Sequence, residues 1–182
     1  MFDPLIVKAI SIGLGLMFLF AAYHKLANAA AFRVTLLEYQ LLPQWLVTPA
    51  ARLIPIIEII LACSWLLSFY NQAMTAIGSA ILLGIYALAI GINLYRGRVH
   101  FDCGCSFGGK DQNEQFLSGG LVARNLLLIA TALMTLMPVS TRAFGFGDYA
   151  TLLAALMAVT FLFAAANQLI SNRATINTWR KR

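Results

Sequence analysis

Charge is what this sequence has least of. Only 11% of its 182 residues carry one, 13 Lys and Arg against 7 Asp and Glu, where a soluble domain averages about 25%. So few charged side chains do not coat a water-soluble domain of this length. Hydrophobic residues make up 60% of the chain, which suits a surface facing lipid. The length allows one domain, or two at most. No repeat, low-complexity tract or separate soluble segment divides it, so residues 1–182 are read as a single integral membrane domain.

Other absences narrow the reading further. The apolar stretches lack the period-2 alternation of membrane barrel strands. The net charge of +6 is not arranged as a basic stripe with interleaved aromatics, so no nucleic-acid partner is expected. The basic residues stand at the ends of apolar runs, where Lys and Arg anchor helices to lipid headgroups. No haem or flavin motif occurs, so no cofactor is evident; a membrane quinone is the electron carrier that stays open.

What is present is apolar and long. A transmembrane helix needs about 20 mostly apolar residues. Five runs meet or approach this, at 5–23, 50–69, 73–95, 121–139 and 149–170. Backbone groups in hydrocarbon must bond internally, so each run is read as a helix. The expected fold is an all-α, polytopic transmembrane bundle of about five spans, four forming a core and one added. Tyr70, Asn71 and Gln72 leave room only for a tight turn, so the second and third spans form an antiparallel hairpin. Ala27-Asn28-Ala29 has the form of a signal-peptide cleavage site, but the apolar stretch before it is long and favours a retained span.

Residues 24–49 mix Phe32, Leu36, Leu37, Tyr39, Leu41, Leu42 and Trp45 with Arg33 and Glu38. This pattern predicts an amphipathic helix in the membrane interface, with Tyr39 and Trp45 at headgroup depth. Pro43 and Pro49 are expected to end helical stretches near them.

The loop at 96–120 is the most informative segment. It carries Cys103 and Cys105, two positions apart, after Arg96, Arg98 and His100 and before Lys110. The third cysteine, Cys63, lies in an apolar run and is read as packing, because buried free Cys behaves as a small hydrophobe. A Cys-x-Cys disulfide requires a tight turn, which Gly104 permits. Such a bond is strained, and strained disulfides are readily reduced. The nearby cations favour a thiolate at Cys103 and Cys105, and Asp102 opposes it. Redox exchange is preferred to the two alternatives, which stay open. One is zinc on His100, Asp102, Cys103 and Cys105, a ligand set with almost no slack. The other is a pair of loop cysteines with no special chemistry.

These residues carry a resemblance. Asp102-Cys103-Gly104-Cys105, followed by Phe107-Gly108, resembles the MauE family of methylamine-utilisation membrane proteins and related DoxX-like redox membrane proteins. His24-Lys25 closing the first span, Glu58 within the second and Arg124-Asn125 opening the fourth agree with it. Ser106 departs from it, standing where relatives run from Cys to Phe-Gly directly. The resemblance covers roughly residues 5–170. It implies a role in maturing methylamine dehydrogenase, whose small subunit is dense in disulfides. It also implies a thioredoxin-like, membrane-anchored partner, MauD, that exchanges electrons with Cys103 and Cys105.

Glu58 is the conspicuous polar residue inside a span, and an acid at that depth costs a few kcal/mol on insertion scales. It relays a proton or contacts a quinone, or it pairs with a cation such as Lys25 or Arg124. The structural reading is slightly favoured, because a helix bundle needs polar registration. Lys8 is expected to snorkel. Asn93, Asn125 and Asn167 are expected to bond between helices, and Gly13, Gly15, Gly78, Gly84 and Gly91 to let helices approach closely.

The leading function is therefore a membrane thiol–disulfide oxidoreductase component. A non-catalytic scaffold for the partner and a small-solute transporter are the alternatives. The expected location is a bacterial inner membrane, but two arguments about sidedness conflict. Lys25, Arg33, Arg52, Arg96, Arg98, Lys110, Arg124 and the basic C-terminus share the side of the cysteine loop, while Lys8 and Arg142 lie opposite. That bias places the loop in the cytoplasm. Disulfide chemistry places it in the periplasm, and this argument is given slightly more weight.

Overall fold

A computed structural model describes residues 3–67, 71–97, 119–140 and 145–180. His100, Asp102, Cys103, Gly104 and Cys105 lie outside the described residues, as does Tyr70. The described residues form six helices and no strand: α1 (Pro4–Ala27), α2 (Ala29–Tyr39), α3 (Gln44–Leu67), α4 (Gln72–Tyr95), α5 (Gly119–Met134) and α6 (Phe146–Arg180). The chain is an all-α membrane helix bundle. Helices α1, α3 and α4, each 24 residues, are long and apolar enough to cross a bilayer. At 1.5 Å per residue each reaches about 36 Å, against about 30 Å of hydrocarbon.

Local signals explain the ends. Asp3 caps α1, its carboxylate accepting from the Leu5 amide at 2.9 Å, and Pro4 occupies the first turn, where a missing N–H is harmless. Asn28 interrupts the helix between α1 and α2, so Ala27-Asn28-Ala29 is a junction between two helices. Asn71 caps α4 by accepting from the Ala73 amide, and Gly97 (φ +71°) stands just beyond its C-terminus, a conformation that favours glycine. Helix α5 ends at Met134, five residues before the apolar run does. Tighter i→i+3 bonds follow, from the Thr135, Leu136 and Met137 amides, as Pro138 biases the preceding residue away from helix.

Pro43 does separate α2 from α3, but Pro49 lies inside α3. Its missing N–H frees the carbonyl of Trp45, on a residue that is 75% exposed near the helix end. Tyr39 also departs from expectation. Phe32, Thr35 and Tyr39 form the buried stripe of α2, and Tyr39 packs with Ile90 and Leu121 instead of facing headgroups.

Four helices make the core. The most extensive interfaces are α1 with α3 and α4 with α5, and both pairs run antiparallel. Leu14, Phe18, Leu61, Ala62, Trp65, Ala76, Leu82, Leu83 and Ala132 fill the space between them. Trp65 Nε1 donates to Ser79 Oγ at 2.9 Å, joining α3 to α4, and Ser79 passes the bond on to the Thr75 carbonyl. Helix α2 lies on α3, and α6 lies on α1. Leu16, Leu19, Ile56, Ile60, Ile81, Ile85 and Leu88 point outward, as a lipid-facing surface requires.

Three expectations about small and polar residues change. The buried stripe of α3 runs through Glu58, Leu61, Ala62 and Trp65, which puts Cys63 on the outward face instead of in the core. A Cβ on Gly15 would meet Leu66 Cγ at 2.7 Å and Trp65 Cβ at 3.3 Å, so α1 and α3 do approach closely there. Gly78 sits against Leu61, but Gly13, Gly84 and Gly91 face open space. Asn93 donates to the Ala89 carbonyl of its own helix, because that acceptor one turn back is always within reach.

Candidate functional site

The antiparallel packing brings the C-terminal ends of α1 and α4 together with the N-terminal end of α5. The same end of the bundle carries the connection that holds the cysteine motif. About two turns below this end, on Tyr86, and one turn below it, on Arg124, the core becomes polar.

Lys25 of α1 and Glu58 of α3 form an ion pair, with side chains 2% and 1% exposed. Tyr86 of α4 completes it. Its hydroxyl donates to Glu58 Oε1 at 2.8 Å and accepts from Lys25 Nζ at 3.3 Å. The ammonium also stands 4.8 Å from the centroid of the Tyr86 ring and 5.5 Å from that of Phe32 in α2, within cation–π range. Four helices thus contribute to one neutralised cluster. An uncompensated charge at this depth costs several kcal/mol, so each member stabilises the burial of the others. Lys25 is therefore no headgroup anchor, and its charge leaves the count that bears on sidedness.

Beside the cluster lies a small cavity of about 50 Å³, partly open at its mouth. Met17, Phe18, Phe20, Ala21, Leu83 and Leu128 give it a mainly apolar lining, to which Glu58, Tyr86, His24, Arg124 and Asn125 also contribute. Its lining comes from both α1 and α5, which touch only slightly.

Of the residues singled out from sequence, Lys25, Glu58 and Arg124 meet at this site. Of the two cations offered to Glu58, Lys25 makes the ion pair, and Arg124 lines the adjoining cavity. Cys103, Cys105, His100, Asp102 and Gly104 lie outside the described residues. Tyr86 and Phe32 were not anticipated. A phenol in the middle of an apolar run was the available signal for Tyr86, since a hydroxyl in hydrocarbon requires a partner. Phe32 carried no such signal.

Comparison with known proteins decides the family. The model of the family described as methylamine utilisation protein MauE matches residues 3–138, from the start of α1 through α5 and including the cysteine motif. The chain belongs to the MauE family. It is 34% identical to methylamine utilization protein MauE of Paracoccus versutus over 169 residues, 92% of this chain and 88% of the relative. It is 34% identical to the protein of that name from Paracoccus denitrificans over 131 residues, 72% of this chain and 68% of the relative. The Methylorubrum extorquens MauE is 32% identical over 143 residues, 78% and 75% of the two chains. No solved structure matches the chain. As a MauE-family member built from several apolar helices, it is a multi-pass membrane protein of the methylamine-utilisation type.

Proposed function

We propose that this MauE-family protein is the membrane component of a thiol–disulfide exchange system. Cys103 and Cys105 exchange two electrons with a thioredoxin-like, membrane-anchored partner of the MauD kind. The exchange supports disulfide formation or isomerisation as the small subunit of methylamine dehydrogenase matures. The observation that carries this reading is the Asp-Cys-Gly-Cys sequence within the family-matched span.

The chemistry balances without an added reagent. A thiolate of one dithiol attacks a sulfur of the other protein's disulfide, forming a mixed disulfide and expelling one thiolate. The second cysteine of the attacking pair then displaces the remaining sulfur, so one disulfide is reduced as the other forms. Gly104 permits the tight turn the pair needs, His100 and the nearby arginines favour the thiolate, and Asp102 moderates them. Lys25, Glu58 and Arg124 support the end of the bundle from which the loop extends. The protein resides in the inner membrane as one domain, with the cysteine loop in the periplasm, where protein disulfides persist.

Single Cys103→Ser and Cys105→Ser variants test the reading. The variant lacking the resolving cysteine accumulates a reductant-sensitive covalent complex with the partner. If neither variant traps one while both proteins are folded, direct exchange is wrong. A scaffold, by contrast, retains partner binding and maturation activity when both cysteines are serine.

A further inference from the structure

We propose that the outward face of α3 holds an anionic phospholipid, with the lipid phosphodiester seated on Arg52. The proposal stands apart from the dithiol reading and needs neither cysteine. Arg52 is exposed on a helix long and apolar enough to cross the bilayer. Its side chain has no hydrogen-bond or ion-pair partner among the described residues. Ionisable residues in membrane spans almost always face the bundle interior, as Lys25 does against Glu58. Arg52 does the reverse. Glu38, the acid of α2 at the same end of the bundle, makes no ion pair with it. The counter-charge for Arg52 therefore comes from the lipid.

Depth puts that counter-charge in the headgroup layer. Arg52 lies eight residues inside the start of α3 at Gln44, about 12 Å along the axis. The helix exceeds the hydrocarbon thickness by about 6 Å, so Arg52 starts between about 6 and 12 Å below its edge. Helical side chains lean toward the N-terminus, which for α3 is that edge. The long apolar stem thus carries the guanidinium up to the phosphates. The rest of the face completes a headgroup site. Trp45 stands two turns above Arg52 in nearly the same register and is 75% exposed, which offers an indole N–H at headgroup level. Pro49, also exposed, deprives the Trp45 carbonyl of its helical donor and opens an acceptor between the two side chains. Below Arg52, the exposed Leu53, Ile56 and Ile60 give the acyl chains an apolar track.

Charge selects the lipid. Phosphatidylethanolamine neutralises its own phosphate with its ammonium and would leave Arg52 uncompensated. Phosphatidylglycerol brings a net negative charge that Arg52 balances, and hydroxyls that can donate to the Trp45 carbonyl. A planar guanidinium also engages two phosphate oxygens at once, which fixes the headgroup in place. Arg33 and Arg96, exposed at the same end with side chains unpaired among the described residues, add to the positive potential there.

The experiment reconstitutes the full chain in nanodiscs with equal parts phosphatidylglycerol and phosphatidylethanolamine. After extraction into mild detergent, mass spectrometry identifies the lipid that stays bound. Phosphatidylglycerol should be retained over phosphatidylethanolamine by on the order of tenfold. Arg52→Gln should abolish that preference, and Arg52→Lys should keep only part of it, because an ammonium lacks the two-pronged contact. Lys8→Gln, at the opposite end of the bundle, should leave it intact. A phosphatidylglycerol with a diazirine near its glycerol backbone should label the peptide around Trp45–Ile56, and both Arg52→Gln and Trp45→Leu should lower that label. Melting profiles check that the variants are folded. Equal retention of the two lipids, a preference that survives Arg52→Gln, or label confined to other helices would overturn the proposal. So would an α3–α3 crosslink between two copies that excludes lipid from this face.

Discussion

Lys25 and Glu58, 33 residues apart in sequence, face each other across the α1–α3 interface as a sealed ion pair. Tyr86 closes the pair from α4, and Phe32 covers the ammonium from α2. The cluster therefore ties together four helices that could otherwise slide along apolar surfaces.

Removing one charge should be far worse than removing both. Lys25→Met or Glu58→Leu alone strands a buried charge and should cost about 3–5 kcal/mol. The double variant should recover most of that loss, because no charge then needs compensation. Unfolding titrations in mixed micelles measure all three. Additive losses would show that the two residues act independently.

Tyr86 contributes a hydroxyl and a ring, and these separate by substitution. Tyr86→Phe removes the bonds to Glu58 and Lys25 but keeps the ring under the ammonium. It should cost about 1.5–3 kcal/mol, the range for hydrogen bonds to charged groups. In the Lys25→Met/Glu58→Leu background the same change should have a clearly smaller effect. An undiminished effect there would mean that the hydroxyl serves some other group.

Two glycines two positions apart, on opposite faces of α1, should behave oppositely. Gly15→Ala places a methyl 2.7 Å from Leu66 Cγ and against Trp65, forcing α1 and α3 apart. Overpacking of this kind costs about 1–3 kcal/mol. Gly13→Ala meets nothing within 4 Å and should be neutral or slightly stabilising through helix propensity. Thermal unfolding of the two variants side by side settles the matter; equal losses would mean that α1 packs on α3 by a different face.

Sidedness is open to chemical labelling. Cys63 lies on the outward face of α3 and is removed as Cys63→Ser. After gentle reduction of intact cells, a membrane-impermeant maleimide should modify Cys103 and Cys105. Modification that appears only once the inner membrane is permeabilised would put the loop in the cytoplasm, in line with the basic bias of that side.

Much of this protein was legible in the residues themselves. The long apolar runs and scarce charge dictate helices in lipid, because hydrocarbon leaves the backbone no other partner. Proline and Asn-type capping residues mark several helix ends, although Pro49 and Pro55 both lie inside α3, where the remaining backbone bonds and the packing of the helix tolerate the two missing N–H groups. The Cys-Gly-Cys motif and the family resemblance are likewise properties of the chain, independent of any fold. The rest was decided by tertiary packing. Sequence allowed Glu58 to pair with Lys25 or with Arg124, and only the antiparallel register of α1 on α3 selected Lys25. Packing of the helices also turned Cys63 outward, drew Tyr39 of α2 in against Ile90 and Leu121, and brought Tyr86 of α4 to the pair. The physical reason is that lipid attracts every apolar face of a helix about equally, so hydropathy cannot say which face turns inward. That choice falls to close packing and to the few polar groups, which must find one another or remain buried without compensation.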